Sequence, residues 1–475
     1  MMRKIRRAFA LSIFFLGALA LFVFTSQPAA AQTNAPGVWS SAINLQNTTT
    51  SPATVVITFY DTSGNVVTTY TPETLAGGEA LSIFVPSITT SPALPSGQYS
   101  VVVSSDVQIL ASVNTASTSS TSAPWTAFAY DGFDSSQAGT SLYFPGNYNN
   151  YFNFFSELVI QNTDPSTTAN LKATFRDQSG SVIASDVSLG SVAPNAARTV
   201  AMSSVAGLPS GSSGIFGAVV TSDENVNLVG VANIWRTTPT AGTASYSGFT
   251  SGSTELYAPS LLNNYFGFNS AITIQNVHST DNAIGTLTYS DGTIENFNLV
   301  PGAAIDYFQP NNPSLPSGNS NGLLAAEVQV TQGSVVGLVS QSVPSGTGSF
   351  ASYNVPASAA SSVNIPSVLS DYYGYFSAVT VQNTGSTSTN VTIDYANGDS
   401  RTINNVAAGA TVNFIHLDNA SDVLPFRTAT SATVSSSNGN PLVAVIQHNT
   451  SPNVAGYNSA KTPSDYLLAV TGVAE

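Results

Sequence analysis

One phrase recurs along this chain at a nearly fixed spacing. NNYFNFFSELVIQN (149–162), NNYFGFNSAITIQN (263–276) and DYYGYFSAVTVQN (371–383) are versions of it, and a shortened form ends in Gln46-Asn47. The Gln-Asn pairs at 46–47, 161–162, 275–276 and 382–383 lie 115, 114 and 107 residues apart. Self-similarity at that period points to a tandem array with one structural unit per repeat. Other landmarks keep step. Gly64, Gly180, Gly292 and Gly398 follow the pairs, LPSG starts at Leu94, Leu208 and Leu315 with LPFR at Leu424, and Tyr130, Tyr246, Tyr353 or Tyr457 closes each unit.

Within a unit the apolar period is two, the period of a strand with one face in a core. Ile43/Leu45, Leu158/Ile160, Ile272/Ile274 and Val379/Val381 share one register before the Gln-Asn pair. Val55, Ile57 and Phe59, then Leu171, Ala173 and Phe175, continue it, with Lys172, Thr174 and Arg176 predicted to face water. DTSGN, DQSGS and SDGT supply the Asp and Gly that tight hairpins need. About seven short strands per unit, with turn signals every 8 to 12 residues and no helical stripe, predict an all-β fold of four antiparallel two-sheet sandwiches. In this spacing and turn placement the chain resembles the tandem immunoglobulin-like repeat proteins of bacterial cell surfaces. The resemblance implies an architecture and a surface or extracellular setting, without naming an activity. The predicted modules are 32–139, 140–252, 253–361 and 362–475.

Residues 1–31 read as a signal peptide. Arg3, Lys4, Arg6 and Arg7 precede an apolar run that ends in Ala29, Ala30 and Ala31, with cleavage expected after Ala31. Without those four cations, seven Lys and Arg face 25 Asp and Glu. Such a polyanion is unsuited to nucleic acid or an anionic membrane, which require cations to displace counterions. No membrane span is expected after cleavage. The chain has no cysteine, so neither disulfides nor thiolate metal sites are available to it. Export therefore demands that apolar cores alone hold the fold.

Each aromatic phrase opens a unit, behind an apolar tag (SLYFP, TELYAP or VNIP) that reads as the unit's first strand. Tyr151 and Phe152, Tyr265 and Phe266, and Tyr372 and Tyr373 are the candidate functional side chains. They are expected either to pack against the preceding module or to form stacking platforms for sugar rings, whose hydroxyls nearby amides would bond. The Asn of each Gln-Asn pair is expected to bond loop backbone. His278, His416 and His448 fall at unlike positions and are expected in loops or facing solvent; Asp223-Glu224 reads as a solvated turn. No nucleophile-base set repeats, so neither an enzyme nor a cofactor is expected.

The first unit lacks a clear tag. Conversely, SDYLLAVTGVAE follows the closing Tyr457 about where a fifth tag would stand, and no module follows it. Asp465, Tyr466, Leu467, Leu468, Ala469 and Val470 are therefore a candidate donor strand. Its acceptor would be the front of module 1, around Trp39, Ile43 and Leu45, in another copy of the chain, giving a head-to-tail homopolymer. The expected function is thus a secreted or cell-surface structural protein: a stalk, fibre subunit or surface-layer component spanning about 160 Å if four sandwiches stand in line. Its expected partners are itself and other surface components. The second expectation is a glycan-binding adhesin that uses the Tyr-rich entrances.

Overall fold

The computed structural model describes residues 35–118, 127–236, 238, 242–343, 350–371, 375–416, 424–425, 427–450, 468–471 and 473–474. Within them the chain is all-β, in several antiparallel sheets joined by tight turns and short 3-10 segments. No helix among the described residues is long and apolar enough to cross a membrane.

The strand carrying Gln-Asn occupies the same place in every repeat. Val38–Asn47 is bonded on one side to Ala80–Phe84 and on the other to Ile109–Thr118, beyond which lies Ala127–Asp131. Asn269–Asn276 has the same neighbours in Ala304–Phe308, Val335–Ser342 and Phe350–Asn354. A second sheet in the third repeat orders Glu255–Leu262, Leu323–Gln332, Ala283–Tyr289 and Ile294–Leu299. In the second repeat the two halves merge into one eight-stranded sheet, because Ser141–Tyr151 also pairs with Phe154–Asn162. Among the described residues the first repeat's second sheet has three strands: Val66–Tyr70, Val55–Tyr60 and Ser100–Ser105.

Alternation builds these cores. Val55, Ile57 and Phe59 are buried while Val56, Thr58 and Tyr60 are half-covered; Leu171, Ala173 and Phe175 alternate likewise with Lys172, Thr174 and Arg176. The hairpin glycines Gly64, Gly180, Gly292 and Gly398 all adopt left-handed φ, between 82° and 94°. Some strands, however, are buried on both faces. Every residue of Leu228–Arg236 is covered, and all but the last of Val335–Ser342. The outer faces of the Gln-Asn sheets are covered by other repeats. Leu338 of the third repeat lies within the second repeat's core cluster, and Val445 of the fourth lies within the third's.

The joints between repeats are themselves repeated. A Cβ on Gly64 would collide with the Pro194 carbonyl, and Gly180 faces Val300 and Ala303 at the equivalent corner one repeat on. Gln275 Nε2 donates across the joint to the Ala218 carbonyl at 3.2 Å, and Thr411 Oγ1 donates to Pro259 O at 2.7 Å. The closing strands also meet one another. Gly242–Ser247 packs against both Ala127–Asp131 and Phe350–Asn354, and Leu468–Thr471 packs against Phe350–Asn354 and Ala127–Asp131, completing a circuit. Thr243 Oγ1 donates to Ala127 O at 2.6 Å, while the Asn354 amide bonds both the N–H and the carbonyl of Ser247. Repeats whose closing strands meet in this circuit do not stand in line, which corrects the extended arrangement expected from sequence. The cavity enclosed there measures about 30 Å³, too small for an organic ligand.

Two further expectations change. Ile43 and Leu45 are core residues in the stretch Ala42–Gln46, which is bonded along both edges, while Trp39 is paired on one edge, with Ser117, and stacks on Phe128 at 4.7 Å. Around Ile43 and Leu45 that strand has no edge to offer an incoming one. Leu468, Ala469 and Val470 pair within their own repeat, with Val470 opposite Ile446. This is the register that Tyr130, Tyr246 and Tyr353 hold opposite Val113, Ala232 and Val339. Val470 thus takes the closing place in which the sequence put Tyr457. Asp465, Tyr466, Leu467 and Tyr457 lie outside the described residues.

Candidate functional site

The aromatic phrase folds as the tip of a hairpin between tag strand and Gln-Asn strand. In the third repeat Tyr265 and Phe268 exchange both backbone hydrogen bonds, at 2.9 and 3.0 Å, around Phe266 and Gly267. Both central residues are left-handed, with φ of 50° and 82°, the geometry of a type I′ turn. In the second repeat the corresponding pair is Phe152 and Asn153, at 48° and 67°. Such a turn favours Asn-Gly, because a side chain with a bulky γ-substituent is strained at positive φ. Here a phenylalanine fills the first position twice.

Structure divides the Tyr-Phe pair that sequence had treated as one platform. Tyr265 and Tyr151 turn inward, against the following repeat rather than the preceding one. Burial raises the Tyr265 pKa above the usual phenol value, and the Asn413 side chain of the fourth repeat, near enough to act on the hydroxyl, works against the shift. Burial likewise raises the Tyr151 pKa, with the nearby Asp306 carboxylate adding to the shift. Asp306 and Asn413 each stand 31 residues after the Gln of their own pair, a matching offset that could have revealed this contact. Phe152 and Phe266 instead remain 67% and 61% exposed, each edge-on to its tyrosine at 4.7 and 4.8 Å between ring centres. Their surroundings are amides. Phe266 N–H donates to Asn319 Oδ1 at 2.9 Å and Asn264 N–H to Asn269 Oδ1 at 2.7 Å, while Asn150 and Asn153 flank Phe152. Tyr372 and Tyr373 lie outside the described residues; Asp371 just before them is left-handed, as Asn150 and Asn264 are.

The Gln-Asn pair is architectural. Asn162 Nδ2 reaches the carbonyls of Thr167, Val192 and Ala193 at 2.7 to 3.3 Å, and Asn383 does the same with Thr387, Val406 and Ala407. Asn47 and Asn276 repeat the arrangement, so the loop expectation holds.

The fourth repeat also places a serine on a histidine, Ser377 Oγ lying 2.8 Å from His448 Nδ1. Burial lowers the His448 pKa to about 4, so the ring is neutral near pH 7. Ser377 Oγ accepts from Leu369 N–H, as Ser156 and Ser270 accept from Tyr148 and Leu262 in repeats without that histidine. The serine therefore serves as a backbone clasp. His416 and His448 are buried rather than solvent-facing, because each fills a position inside a repeat; His416 meets the Tyr395 hydroxyl at 3.5 Å. Asp223 and Glu224 are exposed turn residues, pairing with Lys172 Nζ at 2.6 Å and with Asn170 N–H at 2.7 Å. Among the described residues no three His, Cys, Asp or Glu side chains gather as a metal site. A cleft of about 450 Å³ in the third repeat includes Glu295 and Tyr307, but Glu295 already accepts from Asn312 and Tyr307 donates to Asn296 O.

No protein family, curated protein or solved structure matches the chain.

Proposed function

We propose that this chain is an exported cell-surface or extracellular protein of four immunoglobulin-like sandwiches, which binds neutral glycans through the aromatic tips at its module entrances. The observation that carries this reading is the pair Phe152 and Phe266. Each is strained at positive φ and leaves most of a phenyl ring in water, where asparagine would relieve both penalties. Packing does not account for the choice, since the inward tyrosine beside each ring already makes the contact with the next repeat. A ligand that covers the ring does account for it. An aromatic face buries the apolar side of a sugar, and the surrounding asparagines offer donors and acceptors to its hydroxyls. The tips carry no Lys or Arg, which favours an uncharged ligand over sialylated, sulfated or phosphate-bearing ones. The shared tags, turns and strand registers support the module assignment, and the leader supports export.

A spacer role is weaker than the sequence made it, because the closing strands gather the repeats. A glycan array probed with residues 32–475 tests the binding. Retention on neutral glycans, and not on anionic ones alone, is the expected result; an array with no ligand, or with binding governed by negative charge, would sink it.

A further inference from the structure

The cavity between the closing strands has a lining built by alternation. Tyr246 and Tyr353 point into the cores of the second and third repeats. Their strand neighbours Ser245 and Ser247, and Ser352 and Asn354, therefore face the other way, where the closing strands meet. Asp131 follows Tyr130 in the first repeat as Ser247 and Asn354 follow their tyrosines, and Ser112 stands opposite Asp131 across the strand pair. All of these residues line the cavity of about 30 Å³. That volume holds roughly one or two particles the size of water.

Ser245 is 5% exposed, yet its hydroxyl, which lines the cavity, has no hydrogen-bond partner. A buried polar atom left so is costly and calls for a ligand. Asn233 Oδ1, opposite Ser245 in register, also has no partner. It can take the hydroxyl proton, which leaves the Ser245 lone pairs for a Lewis acid in the cavity. The lining side chains offer carboxylate, hydroxyl and amide oxygens, the donor set of a hard cation rather than of zinc or copper. Among the described residues none that lines the cavity is Lys, Arg or His, so no protein cation competes there.

We propose that this cavity is a calcium site that ties the first three repeats together. The Asp131 carboxylate, the hydroxyls of Ser112, Ser245 and Ser247 and the side-chain oxygen of Asn354 are its protein ligands. Water completes the shell of six to eight oxygens that calcium fills. Asn354 Oδ1 accepts from Ser247 N–H at 3.1 Å and keeps its second lone pair for the ion, whereas Ser352 is already bonded to Ser340. Calcium is favoured over magnesium because a mixed shell drawn from three repeats does not impose a strict octahedron. With one carboxylate among the ligands the affinity belongs to the weak extracellular range, a Kd of about 0.1–1 mM.

Terbium, which shares calcium's size and its preference for oxygen, tests the site on residues 32–475 stripped with a chelator. Tyr130, Tyr246 and Tyr353 line the cavity and should sensitise its emission. The tyrosine-excited signal should saturate at a single ion per chain and be displaced by calcium. Asp131 is exposed, so Asp131→Asn should keep the parent's circular dichroism while weakening terbium at least tenfold. Ser245→Ala removes a hydroxyl without a partner, so it too should fold, and should weaken terbium severalfold. Asp223→Asn, in an exposed turn elsewhere, should leave the titration unchanged. A signal that never saturates, or one that both cavity variants leave intact, would assign the ions to scattered surface carboxylates and the cavity to water, and would overturn the proposal.

Discussion

Two desolvated titratable groups, half-buried Asp306 and buried His448, pull the stability of this protein in opposite directions with pH. Burial raises the Asp306 carboxyl to about 6, although the Thr273 hydroxyl 2.7 Å away works against the shift. Its unfolded value is about 3.9, so this group's contribution is fully present below that value and is lost as pH rises through 6. His448 is held down to about 4 against roughly 6.5 unfolded; its contribution is present above 6.5 and is lost as pH falls through 4. Each change is on the order of 1–3 kcal/mol, and the windows overlap, so in the parent chain they largely offset. Thermal melts from pH 4 to 7 should expose them separately. Asp306→Asn should make the protein less stable towards pH 4, and His448→Gln more stable; parallel slopes in both variants would contradict the assignment. Neither group's desolvation was legible in the sequence, because coverage by a neighbouring element is not written in local alternation. Asp306 and Glu157 occupy positions that face away from their own cores, yet Glu157 is fully buried against Asn233.

At the scale of the element, the strands and hairpins were legible where one face meets a core and the other meets solvent. Val55–Tyr60 and Ala169–Arg176 follow their sequence pattern residue by residue. What escaped was pairing at long range: that Ala42–Gln46 is bonded on both sides, and that Val470 stands in register with Tyr130, Tyr246 and Tyr353. Register is decided by partners distant in sequence, which leave no local mark. The hairpin glycines allow a test of the joints. Gly398 has open space beside it, so Gly398→Ala should cost about 1 kcal/mol, the price of positive φ alone. Gly64→Ala carries that cost and a collision with Pro194 as well, so it should lose at least about 1 kcal/mol more in denaturant unfolding. Equal losses at the two sites would mean that the first and second repeats do not meet there.

For the whole molecule, the circuit of closing strands replaces a rod with a cluster. X-ray scattering should give a maximum dimension well short of the roughly 160 Å of four sandwiches in line; a value near that length would break the circuit. The sequence foretold the aromatic phrases but not their division of labour, since Tyr265 and Phe266 differ only in which way a left-handed turn points them. That division supplies the most direct test of the proposed function. The paired variant Phe152→Asn, Phe266→Asn gives each turn the residue its backbone favours and removes the exposed rings. Its melting temperature should hold or rise, by an amount equivalent to about 0.5–1 kcal/mol per site, while neutral-glycan affinity measured by calorimetry falls at least tenfold. Unchanged affinity, or a fold that collapses with the rings gone, would return these phenylalanines to architecture and contradict the account.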